Sequence, residues 1–331
     1  MAGGGSVNVA VDVTALAQTR AGTARYLNAL LPRLENEVTL RRLSGFASGR
    51  AGTLWLDLAW YPHVLPHSAR GADVLHCPTY RGPIRSGVPM VVTVHDIAVF
   101  RHPEAFPPWT RNYSRRVVPR VLRAARRIVA VSEFTADELE SVLGVSREKV
   151  RVVPNAVDAV FAPDGPRADG DYALAVGTLE PRKNLARVIE ATARLGLELR
   201  VAGARGWGGV DARGDGVTWL GEVDDDELAR QYRGALCLAY PSLYEGFGIP
   251  VVEAMACGTP VVTSAGGATE EVAGGAAVLV DPRDVAAVAA GIEEVVARRD
   301  ELRALGLERA QAFSWDEAAR RTLDVYREAA G

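Results

Sequence analysis

The chain is short of lysine, short of cysteine and free of long apolar runs, and each shortage narrows what it can be. Lys149 and Lys183 are the only lysines among 38 basic residues, so a lysine inside a candidate site is more informative than an arginine there. Cys77, Cys237 and Cys257 are odd in number and widely spaced, which argues against a disulfide framework and fits reduced thiols in apolar surroundings. No stretch approaches the roughly 18 consecutive apolar residues of a membrane-spanning helix. Met1 to Val7 carry no basic side chain, so no secretory signal is expected and the cytoplasm is the default location. A net charge of −3 is too close to neutral to make nucleic acid a partner. The Gly-x-Gly-x-x-Gly fingerprint of a dinucleotide site is also missing, which disfavours a dehydrogenase.

What the chain does contain is ordinary globular chemistry, 48% hydrophobic and 24% charged, over 331 residues. That length exceeds what one core usually supports and predicts two domains of about 150 residues. Short β-branched runs alternate with helical patterns, as at Val7–Val13, Val91–Val94, Ile128–Val131, Val150–Val153, Tyr172–Val176, Leu199–Val201 and Val261–Val262. The rhythm predicts an α/β fold of two open parallel sheets, with ligands beyond the carboxyl ends of the strands. Turn-forming residues at Ala162-Pro163-Asp164-Gly165-Pro166 and Asp169-Gly170-Asp171 predict the linker, dividing the chain into 1–165, 166–312 and a final segment, 313–331. In that segment Trp315–Ala330 reads as an amphipathic helix with Ser314 as its N-cap.

The clearest chemical signal is the string from Tyr240 through Glu245-Gly246-Phe247-Gly248-Ile249-Pro250 to Glu253 and Gly258-Thr259-Pro260. A strand ends near Tyr240, glycines follow, and Pro250 suits the start of a helix, with Glu253 in its first turn. Glycines let main-chain N–H groups approach a ligand, and a helix start carries partial positive charge, so the string reads as a phosphate cradle flanked by two carboxylates. Carboxylates beside a diphosphate are better used to accept hydrogen bonds from sugar or ribose hydroxyls. Taken singly, Glu245 would read as a solvated loop residue and Glu253 as a dipole-compensating one.

The second signal, Gly177-Thr178-Leu179-Glu180-Pro181-Arg182-Lys183-Asn184, again runs from a strand through a turn into a helix. Adjacent cations there oppose the helix dipole, and a bound diphosphate would reconcile them. Arginine offers a bidentate contact and lysine a point charge. Asp224-Asp225-Asp226-Glu227 is read as an N-cap with an acidic first turn, not as a metal site, and no metal is expected.

Together these residues resemble glycosyltransferase family 4, and the resemblance covers essentially the whole chain. Its most specific part is Glu245 and Glu253 with seven residues between them, within Glu-Gly-Phe-Gly and ahead of Gly-Thr-Pro-Val-Val. Ser132-Glu-Phe-Thr and Pro154-Asn155-Ala-Val-Asp158 are further landmarks, the latter with Ala156 where the family usually has glycine. The resemblance implies the GT-B fold, two Rossmann-like domains facing across a cleft, with the acceptor side in 1–165 and the nucleotide-sugar donor in 166–312. It implies that the final helix packs back on the N-terminal domain. It gives Glu245 the donor sugar, Glu253 the ribose diol, and Arg182 and Lys183 the diphosphate, with Gly177, Gly246, Phe247, Gly248 and Ile249 around the donor. It also implies retention of anomeric configuration, with the leaving phosphate helping to take the acceptor proton.

In the N-terminal half, His95 and Asp96 follow the apolar strand Met90–Val94 and should emerge at its carboxyl end. Strand-end placement and the adjacent carboxylate favour a functional histidine, although a lone histidine is more often structural. By resemblance His95 approaches the donor sugar near the reacting carbon, and Gly22, in Arg20-Ala-Gly-Thr-Ala-Arg25-Tyr, lies beside the donor phosphates and acceptor. His63 and His67 are four apart, but Pro62 and Pro66 argue against the helix that would make them a metal pair, so both are expected in a loop.

Arg101 to Arg127 holds eight arginines with Glu104 as its only acid. Arg116, Arg120, Arg123 and Arg127 are predicted to share a helix face opposite Val118, Val121, Leu122 and Ala125, with Pro119 kinking or starting that helix. A solvated face is the favoured reading. The sharper one is contact with anionic lipid or a phosphorylated carrier, which would put the protein peripherally at the inner membrane face.

The string His95-Asp-Ile-Ala-Val-Phe-Arg-His-Pro-Glu104-Ala-Phe-Pro resembles bacterial mannosyltransferases of surface polysaccharide synthesis. GDP-mannose is therefore the leading donor and a UDP-hexose the alternative, with a glycan, lipid-linked carrier or small molecule as acceptor. No cofactor beyond the donor is expected. A nucleotide-sugar-binding subunit without turnover is the reading from another class, disfavoured by the intact charged set.

Overall fold

The computed structural model describes residues 7–18, 22–46, 49–206, 209 and 214–331. Two compact units emerge, one of Met1–Asn155 with Trp315–Gly331 and one of Ala156–Ser314.

The first unit is a six-stranded parallel sheet of β1 (Asn8–Asp12), β2 (Thr39–Leu43), β3 (Val74–Cys77), β4 (Met90–Val94), β5 (Arg127–Ala130) and β6 (Val150–Val152), ordered β2-β1-β3-β4-β5-β6. β4 is buried along its whole length, as a parallel strand covered on both faces should be, and reads as an unbroken apolar run. Buried residues of the helix Trp315–Ala330 recur at Trp315, Ala318, Ala319, Thr322, Leu323 and Tyr326, the three-to-four spacing of one apolar stripe. Tyr326 Oη lies 2.7 Å from His76 Nδ1, His76 Nε2 lies 2.8 Å from Thr93 Oγ1, and Arg127 Nε donates to Glu328 at 2.9 Å. Burial, helped by nearby His95, pushes the His76 pKa down to about 3, so this imidazole is neutral and works as a two-ended hydrogen-bonding strut.

The second unit repeats the plan with β7 (Tyr172–Val176), β8 (Glu198–Ala202), β9 (Val217–Gly221), β10 (Cys237–Tyr240), β11 (Val261–Ser264) and β12 (Val278–Val280), ordered β12-β11-β10-β7-β8-β9 and parallel throughout. Leu185, Val188 and Ala191 of the helix Leu185–Arg194 and Val288, Ile292 and Val295 of the helix Val285–Ala297 cover one face. The chain runs outward from β7 to β9 and returns to β10 on the other side of β7. That reversal makes the carboxyl ends of β7 and β10 the topological switch point, where open α/β sheets leave a crevice.

Three local expectations need correction. The turn-rich 162–171 segment is tied to the second unit, because Arg233 donates to the carbonyls of Pro166 and Ala162 at 2.7 and 3.2 Å, and the units divide at Asn155/Ala156. His63 and His67 lie in continuous helical structure over Leu56–Val64 and Leu65–Ser68, the first part in wide π-type turns that accommodate Pro62. Arg127 is not on the arginine-bearing helix, which runs through Pro119 but stops at Ala124; it opens β5. Val118, Val121, Leu122 and Ala125 are buried as expected, and Cys77, Cys237 and Cys257 are buried free thiols. No helix among the described residues is long and apolar enough to cross a membrane.

The loops after β7 and β8 touch. A Cβ added to Gly203 would lie 1.9 Å from the Gly177 carbonyl oxygen, so backbone meets backbone where no side chain fits. Gly203→Ala is expected to cost about 3 kcal/mol in urea denaturation of the full chain, because neither backbone segment can yield cheaply. A loss under about 0.5 kcal/mol, the range of ordinary surface changes, would show that the contact is not tight.

Candidate active site

The residues singled out in the sequence fall into one group in each unit. In the second, the turn after β7 starts at Gly177, whose positive φ of 138° suits glycine and over which the Lys183 side chain lies, 3.2 Å from where a Cβ would be. A short 3-10 turn, Pro181–Lys183, presents the two cations, and the helix begins only at Leu185. Between them Asn184 adopts φ 61°, the only positive φ of a non-glycine among the described residues. Its buried amide repays that conformation by donating to the carbonyls of Pro241 (2.9 Å) and Pro282 (2.6 Å), which ties this turn to the loop after β10.

That loop supplies Glu245. Its Oε2 accepts from Arg182 Nη1 at 2.8 Å, and its Oε1 accepts from Lys183 Nζ at 2.6 Å and from the Tyr240 hydroxyl at 2.9 Å. Lys183 also donates to Tyr240 Oη at 2.6 Å, and Arg182 Nη2 meets Glu180 Oε1 at 2.6 Å. The Glu245 side chain is only 9% exposed. Burial pushes its pKa up, but the charges of Lys183 and Arg182 outweigh burial and hold it at about 2. Burial, with Arg182 adding to it, lowers the pKa of Lys183 despite the attraction of Glu245. The two cations are thus balanced by two carboxylates of the same unit, so their place before a helix does not by itself require an outside anion.

Gly248 precedes the helix Ile249–Ala256 with φ 103°, and a Cβ there would press on Thr269 Cγ2 at 2.9 Å. Gly246 lies in the same loop. The Phe247 ring is buried edge-on against Phe313 at 5.6 Å, so only its main chain can face a ligand. Ile249 and Pro250 are partly exposed at the helix start. Glu253 lies past the first turn, which removes the dipole reading, and is 1% exposed, with Oε2 accepting from Tyr232 Oη at 3.0 Å. Asp224 caps its helix by accepting from Glu227 N at 2.8 Å, as the sequence implied.

In the first unit His95 emerges at the carboxyl end of β4, half-buried. Its Nε2 donates to the Pro78 carbonyl at 3.0 Å, so Nε2 carries the proton. Burial lowers its pKa against the opposing pull of Asp96 and the Pro78 carbonyl, leaving a neutral ring with its lone pair on Nδ1 at pH 7. Asp96 does not orient that ring: its Oδ1 accepts from Ala98 N at 2.9 Å. The Tyr26 ring stands edge-on to His95 at 5.0 Å, and Gly22, with φ 56°, starts the helix Thr23–Leu34 that carries Tyr26. Arg20 and Ala21 lie outside the described residues.

Tyr240, Glu180, Asn184 and Tyr232 were not singled out from sequence. Glu180 and Asn184 flank the Arg-Lys pair and could have been suspected on spacing; Tyr240 and Tyr232 act through contacts that no local pattern encodes.

Comparison with known proteins settles the family. Residues 158–311 match the description "Glycosyl transferases group 1" and residues 9–161 match "Glycosyltransferase Family 4". The chain is 33% identical over 265 residues to O-antigen chain mannosyltransferase B of Escherichia coli, covering 72% of this chain and 70% of that protein. The chain belongs to glycosyltransferase family 4. This family 4 glycosyltransferase is also 33% identical over 289 residues to the D-inositol 3-phosphate glycosyltransferase of a Nocardioides species, covering 74% of this chain and 63%, under two thirds, of that relative. Among solved structures it resembles a sucrose-phosphate synthase from Thermosynechococcus elongatus (TM-score 0.78, 22% identity, covering 97% of this chain and 98% of that one). It also resembles Anabaena Alr3699/HepE in complex with UDP and glucose (TM-score 0.71, 17% identity, covering 96% and 98%). These two likenesses establish the GT-B fold of the family 4 glycosyltransferase.

Glu245 contributes to the pH dependence of its unit. With a folded pKa of about 2 against an ordinary 4.5, its stabilising contribution is complete above pH 4.5 and lost as pH falls toward 2. Glu245→Gln, which also leaves two buried cations short of an anion, is expected to cost roughly 3 kcal/mol at pH 7. The difference from wild type in urea melts should shrink as pH falls from 4.5 toward 2; a difference independent of pH across that window would refute the ion-pair account.

Proposed function

We propose that the protein transfers a hexose from a nucleoside-diphosphate donor to an acceptor hydroxyl, with retention and without a metal ion, and that the donor is GDP-mannose. The observation that carries the reading is the buried Arg182–Lys183–Glu245 cluster at the switch point of the second sheet. In the reaction the bond from the anomeric carbon to the diphosphate oxygen breaks and its electrons stay with the diphosphate. Arg182 and Lys183 stabilise that developing charge, the task a metal would otherwise perform. The acceptor oxygen bonds to the anomeric carbon from the same face, and its proton passes to the departing phosphate. Glu245, which the diphosphate would displace from the two cations, turns to a donor-sugar hydroxyl, and Glu253 accepts from the ribose. Neutral His95 supports the sugar near the reacting carbon.

The mannose assignment is supported by the Escherichia coli mannosyltransferase relative. A UDP-hexose is the second reading, favoured by the structural likeness to a protein solved with UDP and glucose. Acceptors of the polysaccharide, lipid-linked or small-molecule kind all remain compatible with the family.

Thermal shift separates the donors, since a ligand that binds only the native state raises its melting temperature. GDP-mannose is expected to raise Tm more than UDP-glucose; the reverse order moves the assignment to UDP-hexoses, and no response to either rejects the donor site. Replacing Arg182 and Lys183 together by alanine should lower kcat/KM by about 100-fold or more. Glu245→Gln should retain nucleoside-diphosphate binding while transfer falls, because it removes the competitor for the cations and not the cations. Activity lost in EDTA and restored by magnesium would refute the metal-independent step.

A further inference from the structure

We propose that the first unit carries a second anion site, unrelated to the donor pocket, that takes a phosphate group. An open pocket of about 540 Å³ lies at the amino ends of the sheet, reached by Met90 at the start of β4, Arg127 at the start of β5 and Lys149 just before β6. Its size falls in the range of small-ligand sites, roughly 300–1,000 Å³. His95 stands at the far end of β4, about 15 Å away along the strand, so the pocket is not the place where that histidine acts.

The wall carries four cationic side chains, Arg123, Arg126, Arg127 and Lys149, against one anionic group, the terminal carboxylate of Gly331, and no acidic side chain lines it. Lys149 is one of only two lysines in the chain, and the other is Lys183 of the donor cluster. Among the described residues Arg123, Arg126 and Lys149 form no ion pair. Lys149 Nζ donates to the carbonyls of Arg123 (2.9 Å) and Ala125 (3.3 Å), which neutralises the negative end of the arginine-bearing helix. Arg123 uses only Nε, on the Pro119 carbonyl at 3.0 Å. Glu328, the acid on the neighbouring C-terminal helix, is occupied by Arg127 and Arg151.

This differs from the donor cluster in the respect that matters. There each cation already has a carboxylate; here Arg123, Arg126 and Lys149 line one hollow whose single lining carboxylate among the described residues, the terminal one of Gly331, pairs with none of them. Like charges gathered around one hollow raise the local potential, and an oxyanion that accepts bidentate arginine hydrogen bonds relieves it. A phosphate group, whether on a soluble molecule or in an anionic lipid headgroup, supplies that chemistry.

The experiment compares the full wild-type chain with Arg123→Ala/Arg126→Ala and with Arg115→Ala/Arg116→Ala, a control with the same charge change elsewhere on the helix. All four arginines are exposed, so the variants are expected to fold, and circular dichroism checks this. One arm titrates inorganic pyrophosphate by calorimetry; the other measures co-sedimentation with phosphatidylglycerol–phosphatidylcholine vesicles against pure phosphatidylcholine. The pocket variant is expected to weaken binding by about tenfold or more in at least one arm, with the control unchanged. Loss in the pyrophosphate arm identifies a soluble phosphate ligand, and loss in the vesicle arm alone identifies a headgroup. The proposal is overturned if neither arm responds to the pocket variant, or if the control loses as much, which would mean diffuse charge and no site. Pyrophosphate held by Arg182 and Lys183 does not mimic the result, because neither variant touches those residues.

Discussion

The loops at the switch point of the second unit depend on one carboxylate holding two cations in a place water hardly reaches. Arg182 and Lys183 come from the loop after β7, Glu245 from the loop after β10, and the sheet order makes those strands neighbours on which the chain reverses direction. Taking such charges out of water costs several kcal/mol per ion unless each is paired and hydrogen-bonded. The structure meets that cost with interlocking contacts: Tyr240 bridges Lys183 and Glu245, Glu180 takes the other side of Arg182, and Asn184 pins one loop to the other. Pairing, loop geometry and topology are therefore one constraint seen at three scales.

The first unit joins its elements in another way: a neutral imidazole at His76 links β3, Thr93 of β4 and Tyr326 of the C-terminal helix. Because both ring nitrogens are used, the helix Trp315–Ala330 is fixed in register as well as by its apolar stripe. The chain leaves this unit at Asn155 and returns to it at Trp315, so the second unit is joined to it by two connections and not one.

Much of this was legible in the sequence, and the failures have physical causes. Central strands such as Tyr172–Val176 announce themselves because both faces are covered and the residues are apolar throughout. Two of the edge strands do not: Thr39–Leu43 carries Arg41 and Arg42, and Val217–Gly221 leaves Trp219 exposed, so neither shows the expected run. Arg182, Lys183 and Glu245 could be brought forward as candidates because ligands in open α/β sheets bind at the loops that follow strands. Their mutual pairing could not, since it spans more than 60 residues of sequence. Pro62 misled because it was judged against α-helical geometry, and Arg127 because helical spacing was carried past the residue where the helix stops.

On the proposed reading, the balanced state of the donor cluster also decides what can enter it. An anion bearing one negative charge would exchange with Glu245 one for one, exposing a buried carboxylate to repulsion for no gain in pairing. A diphosphate brings more charge and several acceptor oxygens to the same two side chains, so it can displace Glu245 and still leave Arg182 and Lys183 better satisfied than before. Glu245, once displaced, keeps a depressed pKa only while cations stay near; with the diphosphate between them it becomes a stronger proton acceptor, suited to a sugar hydroxyl. The same ion pair that stabilises the empty fold would then act as a selectivity filter for the leaving group, which is a reason for evolution to retain a buried ion pair where an apolar cluster would fold as well.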